Sequence, residues 1–257
     1  MDVKIEIKYA NKLVAFIDVL GFKNIVFSGK HEDIQEYYSF LLSRFKDAVE
    51  KYDFDFLLIS DSIVIYADAS LDNLSRLFKI ASILQAGLLG KGIPVRGAIS
   101  QGNLFVDKKS NIIVGPGLAN AYMLESQAKF PRIIIDRSLV ESYYGSISAA
   151  LVKNTFSNLP HLSVVSHNGA VNDFPYLNYG RILGTMLSNV PYEGAYKLVK
   201  RNYYRNENIE KYEWLKCYII FSLSEQKKSL ENLANPNENE RKRLKLVSKH
   251  LDNFLSI

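Results

Sequence analysis

FIDVLGF, Phe16 to Phe22, and ISDSIVIYA, Ile59 to Ala67, each place one Asp where a buried β pattern breaks. A carboxylate at the end of an apolar strand is costly unless a cation or hydrogen-bond donors compensate it. Two such places in one domain therefore point to a divalent-metal pocket held by Asp18 and Asp61. Working outward, Leu13 to Asp18 is a nearly continuous apolar run, the mark of a strand buried on both faces. Gly21 lets the chain turn, and Ile34 to Val49 repeats apolar residues at helical spacing. Phe54 to Ile59 and Ser62 to Ala67 are β-rich runs separated only by Ser60 and Asp61, which is hairpin spacing.

Further along, Asp72 is the expected N-cap of a helix through Leu74, Leu77, Phe78, Ile80, Ala81, Leu84 and Leu88, closing near Gly90 and Gly92. Pro94 opens a strand, VRGAIS, and Gly102 is read as a turn into NLFVD. Gly115 to Gly117 leads into a helix bearing Ala119, Tyr122 and Met123, and Arg132 to Ile135 is another short strand. Helices linking strands and hairpins in this order give an α+β, ferredoxin-like sandwich. From about residue 138 the pattern loosens. Leu162 to Ser166 and Phe174 to Tyr179 are expected as a final strand pair, with Pro160 and the loop HNGAVND among the connections. Asn208 to Leu233 and Asn237 to Leu255 read as amphipathic helices. Residues 1–182 are thus expected as one domain and 183–257 as a helical extension.

Composition bounds the function. With 257 residues, 47% hydrophobic and 23% charged, the chain can bury one substantial core. No apolar run reaches the roughly 18 residues that span a bilayer, and MDVKIEIKYANK lacks the apolar run of a signal peptide, so a cytosolic location is expected and no membrane partner. The single Cys217 forms neither an intrachain disulfide nor a Cys-rich zinc site. Much of the net charge of +5 lies after residue 195, in Lys197, Lys200, Arg201, Arg205, Arg241, Lys242, Arg243 and Lys245. This reads as a solvated helix face, and no nucleic-acid partner is expected, although a basic binding module remains an alternative. His31, His161, His167 and His250 are scattered without metal-ligand spacing and read as surface residues; Trp214, Tyr218 and Phe221 read as packing residues.

In FIDVLGF, Asp18 at the strand end suits a metal, and the amides of Val19, Leu20, Gly21 and Phe22 suit the anion it carries. Taken in order with ISDSIVIYA, RGAISQG and VGPGLANAYMLES, these segments resemble the class III nucleotidyl cyclases, over roughly residues 12–136. The resemblance implies a head-to-tail homodimer with active sites at its interface and two metal ions per site, Mn²⁺ or Mg²⁺. The implied reaction is cyclisation of a nucleoside triphosphate to its 3′,5′-cyclic monophosphate. It makes Asp18 and Asp61 the metal pair, the Val19 carbonyl a further ligand, and Arg96 the residue that neutralises triphosphate charge.

The chain also departs from the purine cyclases. Their helix after the glycine turn carries an Asn and, one turn later, an Arg; those positions here are Ala119 and Met123. Asn120 is the neighbouring residue expected to serve the Asn role, and Lys129, Arg132 and Arg181 are the cations available in place of the Arg. The base-reading positions are Leu57 and, near the glycine turn, Ile112, which cannot replace the hydrogen bonds a purine site makes. Asp55, on the same strand face as Leu57, is the expected polar base contact. These departures look most like the bacterial pyrimidine cyclases of the Pycsar anti-phage system, which implies cyclic UMP or cyclic CMP as product and an effector that acts through the cyclic nucleotide. A purine cyclase with unusual base contacts, and a cyclase fold that binds nucleotide without turnover, stay open as alternatives.

Overall fold

β1 (Ala10–Val19) is the strand on which the sheet is built. Leu13, Val14, Ala15, Ile17 and Val19 along it are buried, because it has a neighbour on each edge and cover on both faces. A computed structural model describes residues 6–27, 29, 31–148, 162–163, 174–180, 182, 190–203 and 208–257. Antiparallel to β1 lie β3 (Ser62–Asp68) on one side and β4 (Val95–Asp107) on the other, and β2 (Asp55–Ile59) pairs antiparallel with β3. The resulting order β2-β3-β1-β4, with a helical link before β2 and another before β4, is the expected ferredoxin-like α+β arrangement. β5 (Ile112–Val114) folds back on the outer half of β4. Beyond β4 the sheet continues through β6 (Ile133–Ile135), which is parallel to it, to β8 (Tyr176–Leu177) and β7 (Leu162–Ser163).

One face of the sheet packs under α2 (His31–Phe40), α3 (Lys46–Lys51) and α4 (Leu71–Gly90) in a core that includes Leu13, Ile17, Ile63, Ile65, Phe45 and Leu84. The helix expected at Ile34 to Val49 is interrupted by a π turn at Leu41–Phe45. Its buried residues Tyr37, Leu41, Phe45 and Val49 recur every fourth position. At that spacing side chains creep about 40° round an α-helix per step, and the wider π turn takes up the creep. α4 is capped by Ser70, whose side chain accepts from the Asn73 amide at 3.1 Å, and not by Asp72. Asp72 lies inside the first turn and pairs with Arg76 at 2.6 Å.

Gly102 does not turn the chain: β4 runs straight through it. A Cβ there would sit 2.9 Å from the Gly117 amide nitrogen, so the glycine serves the close approach of α5 (Pro116–Glu125) to the strand. Three of the described helices were not legible from periodicity, α1 (Phe22–Phe27), α6 (Arg137–Tyr144) and α7 (Val190–Tyr203). α8 (Ile209–Glu231) and α9 (Glu238–Leu255) lie where expected, the latter opened by an Asn237–Glu240 capping box. They build a second core in which Trp214 and Tyr218 join Ala98, Ile134 and Tyr176 of the sheet. His250 belongs to that core at 1% exposure, stacked 4.7 Å from Tyr192, which corrects its reading as a surface residue; its stem on α9 faces inward. His31 is exposed, whereas Pro160, His161 and the whole HNGAVND loop, His167 included, lie outside the described residues. Among the described residues no helix is long and apolar enough to cross a membrane.

Candidate active site

The cross-strand register sets the site. On the sheet face opposite α2 and α4, Asp18 stands between Ser62 of β3 and Arg96 of β4, and Ser62 pairs in turn with Ile59. The next row is apolar, Leu57, Val64, Phe16 and Ala98, and the row after it brings Asp55, Tyr66, Val14 and Ser100 together. An apolar row thus separates the Asp18 row, at the end of the sheet where β1 leaves it and the β2–β3 turn projects, from a second polar row at Asp55, Tyr66 and Ser100.

Asp61 occupies that two-residue turn with Ser60, as expected from the hairpin spacing. Ser60 takes a left-handed conformation at φ 58°, and α2 tethers the turn from behind. The Tyr37 hydroxyl donates to the Asp61 carbonyl at 3.2 Å and the Tyr38 hydroxyl to the Ser60 carbonyl at 3.1 Å. Tyr37 also packs on Phe22, 5.7 Å between ring centres, so one buried side chain supports both acid-bearing segments. No motif marked these tyrosines, because a helix residue bonded to a distant turn leaves no trace in local spacing.

After Asp18, Val19 is buried, its side chain in the core beneath α2 and α4, so only its backbone is left to serve a ligand. Gly21 adopts φ 79°, the left-handed turn that its lack of a side chain permits. The Leu20 amide donates to the Pro94 carbonyl at 2.9 Å because pairing with the β4 segment continues past Val19. That amide is therefore spent, which corrects its reading as an anion donor. Phe22 opens the short helix α1 (Phe22–Phe27) and is half-buried.

Asp18 is crowded by negative charge. Burial, then Asp61, then Glu125 push its carboxyl up from 3.8 to about 6, against the opposing pull of Arg96 and a 3.3 Å hydrogen bond from Ser62. Arg96 Nη2 is 3.9 Å from Asp18, while its Nε lies 2.5 Å from Glu125, an ion pair whose alignment falls short of a hydrogen bond. Glu125 ends α5 almost fully buried, and burial raises its carboxyl despite Arg96. It was not among the residues singled out from sequence, although the acidic end of GPGLANAYMLES is the signal that marks it.

The remaining expected residues are spread more widely. Asn120 is exposed on α5; five residues before Glu125, it lies about 140° round the helix from that inward side chain, off the Asp18 cluster of its own chain. Met123 is 57% exposed, and Tyr122 sets its ring edge-on to Phe16. Asp55 is ion-paired with Lys108 at 2.5 Å, at the end of β2 away from Asp61. Leu57 packs with Val64 and Phe16, and Ile112 begins β5. Of the cations considered for the vacant Arg position, Lys129 is exposed; Arg132 is buried among Phe130, Tyr176 and Trp214, which holds it in the second core; Arg181 lies outside the described residues.

The donor set suits a hard divalent ion. Among the described residues no three His, Cys, Asp or Glu side chains converge as a full metal cage. Two carboxylates and a carbonyl leave most of the coordination sphere to water and phosphate oxygen, which is how Mg²⁺-like ions are commonly held. Excess negative charge around Asp18 is what such an ion relieves.

No protein-family model matches the chain, and no curated protein matches it. Solved structures that resemble it are cyclase domains. The guanylyl cyclase domain of the RhoGC fusion protein from the aquatic fungus Blastocladiella emersonii is 19% identical over 53% of this chain and 87% of that one, with a TM-score of 0.47. The guanylyl cyclase Cya2 is 16% identical, covering 67% and 92%, with a TM-score of 0.46. An adenylate/guanylate cyclase/hydrolase from Silicibacter pomeroyi is 10% identical, covering 67% and 96%, with a TM-score of 0.48.

Proposed function

We propose that the protein is a class III nucleotidyl cyclase that converts a pyrimidine nucleoside triphosphate, UTP or CTP, to its 3′,5′-cyclic monophosphate and pyrophosphate. The observation that carries this reading is the row in which Asp18 stands directly beside Arg96, with Asp61 in the adjoining turn. Two acids and one cation at the open end of a sheet suit phosphate chemistry, and cyclisation by the ribose 3′-hydroxyl needs no side-chain nucleophile. A bound Mn²⁺ or Mg²⁺ pair supplies charge neutralisation at the 3′-hydroxyl and the leaving pyrophosphate.

In this reading Asp18, Asp61 and the Val19 carbonyl hold the ions, and Arg96 faces the triphosphate. The Gly21 turn leaves room for the phosphates, and the apolar row at Leu57 excludes water beside the base. Asp55, with Lys108 beside it, supplies acceptor and donor of the kind that uracil and cytosine edges require. Asn120 points away from its own cluster and toward solvent, which suits service to the site of a second copy in a head-to-tail homodimer. The exposed Tyr122, Met123 and Val114 supply apolar surface for such a contact. Residues 1–182 would form the catalytic unit and 183–257 a helical extension, and the product would serve as a messenger in anti-phage defence of the Pycsar kind.

The test is product identification by mass spectrometry after incubation with each of the four ribonucleoside triphosphates and Mn²⁺. Cyclic UMP or cyclic CMP is expected as the dominant product. Cyclic AMP or cyclic GMP in its place overturns the pyrimidine assignment, and metal-dependent nucleotide binding without pyrophosphate release overturns catalysis.

A further inference from the structure

Arg96 and Asp18 face each other directly across the β1–β4 ladder. Opposite charges so placed ordinarily close to contact, an arginine–carboxylate pair drawing in to about 2.8 Å. Here the nearest approach is 3.9 Å, and Nε of the same guanidinium lies 2.5 Å from Glu125. Glu125 is the last residue of α5 and is 4% exposed. The seat of α5 fixes it there, through the close passage of Gly117 over Gly102 and a 2.8 Å hydrogen bond from Ser100 Oγ to the Gly117 carbonyl.

We propose that Glu125 is a positioning residue that draws Arg96 off Asp18, leaving that carboxylate open to a divalent cation and the guanidinium free to meet the anion the cation carries. The proposal rests on the metal site put forward above. Without Glu125, the guanidinium closes on its cross-strand partner and competes with the ion for the same oxygens. A merely structural ion pair would cost stability when broken and leave cation affinity unmoved.

The experiment is a titration of Mn²⁺ into the substrate-free protein, with free ion counted by electron paramagnetic resonance. Wild type, Asp18→Ala, Glu125→Gln and the double variant Glu125→Gln/Arg96→Met are compared. Wild type is expected to bind and Asp18→Ala to fail. Glu125→Gln should bind on the order of tenfold more weakly, and the double variant should recover wild-type affinity, since no guanidinium remains to close on Asp18. Glu125→Gln with wild-type affinity, or a double variant as weak as the single, overturns the positioning role and leaves the metal site standing. Wild type binding no better than Asp18→Ala overturns both. Where Glu125→Gln does not fold, Arg96→Met alone decides: with Glu125 in place its affinity should stay within about threefold of wild type, and a tightening of about tenfold refutes the proposal.

Discussion

Replacing Asp18 with asparagine should strengthen the fold while ending catalysis. The carboxyl is pushed from 3.8 to about 6, first by burial and then by Asp61 and Glu125. In the folded protein it therefore holds a proton that the unfolded chain releases near pH 4. Below that pH both states are protonated and the residue is neutral toward stability. Between about 4 and 6 the wild-type protein loses stability as pH rises, and above about 6 the whole penalty is present. Each pH unit is worth about 1.4 kcal/mol, which sets a ceiling near 3 kcal/mol; solvent reaching a side chain 23% exposed reduces the expected gain to about 1–2 kcal/mol. Asparagine keeps the shape and the Ser62 contact but carries no charge. Urea unfolding in EDTA at pH 4, 5, 6 and 7.5 should show the variant level with wild type at pH 4 and ahead of it at pH 7.5. Added Mn²⁺ should then stabilise wild type alone. A variant that is less stable at pH 7.5, or a gap that does not widen with pH, refutes the picture of a strained acid waiting for a cation.

Asp61→Ala should lower turnover by more than about a hundredfold with circular dichroism unchanged, as expected for loss of a metal-holding carboxylate; near-normal turnover would remove Asp61 from the site. Mixing Asp61→Ala with Asn120→Ala protein should restore part of the activity when each site draws on two chains, and demonstrated heterodimers without activity would rule Asn120 out. Tyr37→Phe and Tyr38→Phe each remove one hydroxyl bond to the turn that carries Asp61. Each should cost about 1 kcal/mol in urea unfolding, and the pair together should raise the Mn²⁺ concentration needed for half-maximal activity, whereas an unchanged metal requirement would show the turn to be held without them. Gly102→Ala places a methyl 2.9 Å from the Gly117 amide nitrogen. It should destabilise by about 1–3 kcal/mol, and a thermal melt matching wild type would mean that α5 is free to shift.

Local pattern carried much of this molecule. The apolar run ending in Asp18, the two-residue gap between β2 and β3, and the Asn237 start of α9 are legible because each depends on neighbours within a few positions. Where the reading failed at Gly102 and His250, a distant contact had decided the outcome, and at Asp72 a competing local one had. Gly102 looks like a turn, yet lies in a straight strand because α5 needs room above it. Asp72 looks like a cap, yet Ser70, two residues earlier, accepts from the Asn73 amide. His250 looks like a surface residue, yet faces the ring of Tyr192.

The site divides in the same way. The sequence by itself singled out Asp18 and Asp61, since a carboxylate breaking an apolar strand is conspicuous and costly, while Arg96 entered only through the resemblance to the cyclases. Only the tertiary structure decided that Asp18 and Arg96 share a register, that Arg96 is ion-paired with Glu125, and that two tyrosines of α2 tether the turn. Register, ion-pair partners and hydrogen bonds to a remote carbonyl are relations between segments dozens of residues apart. They exist only once the chain has closed on itself, so no window of sequence contains them.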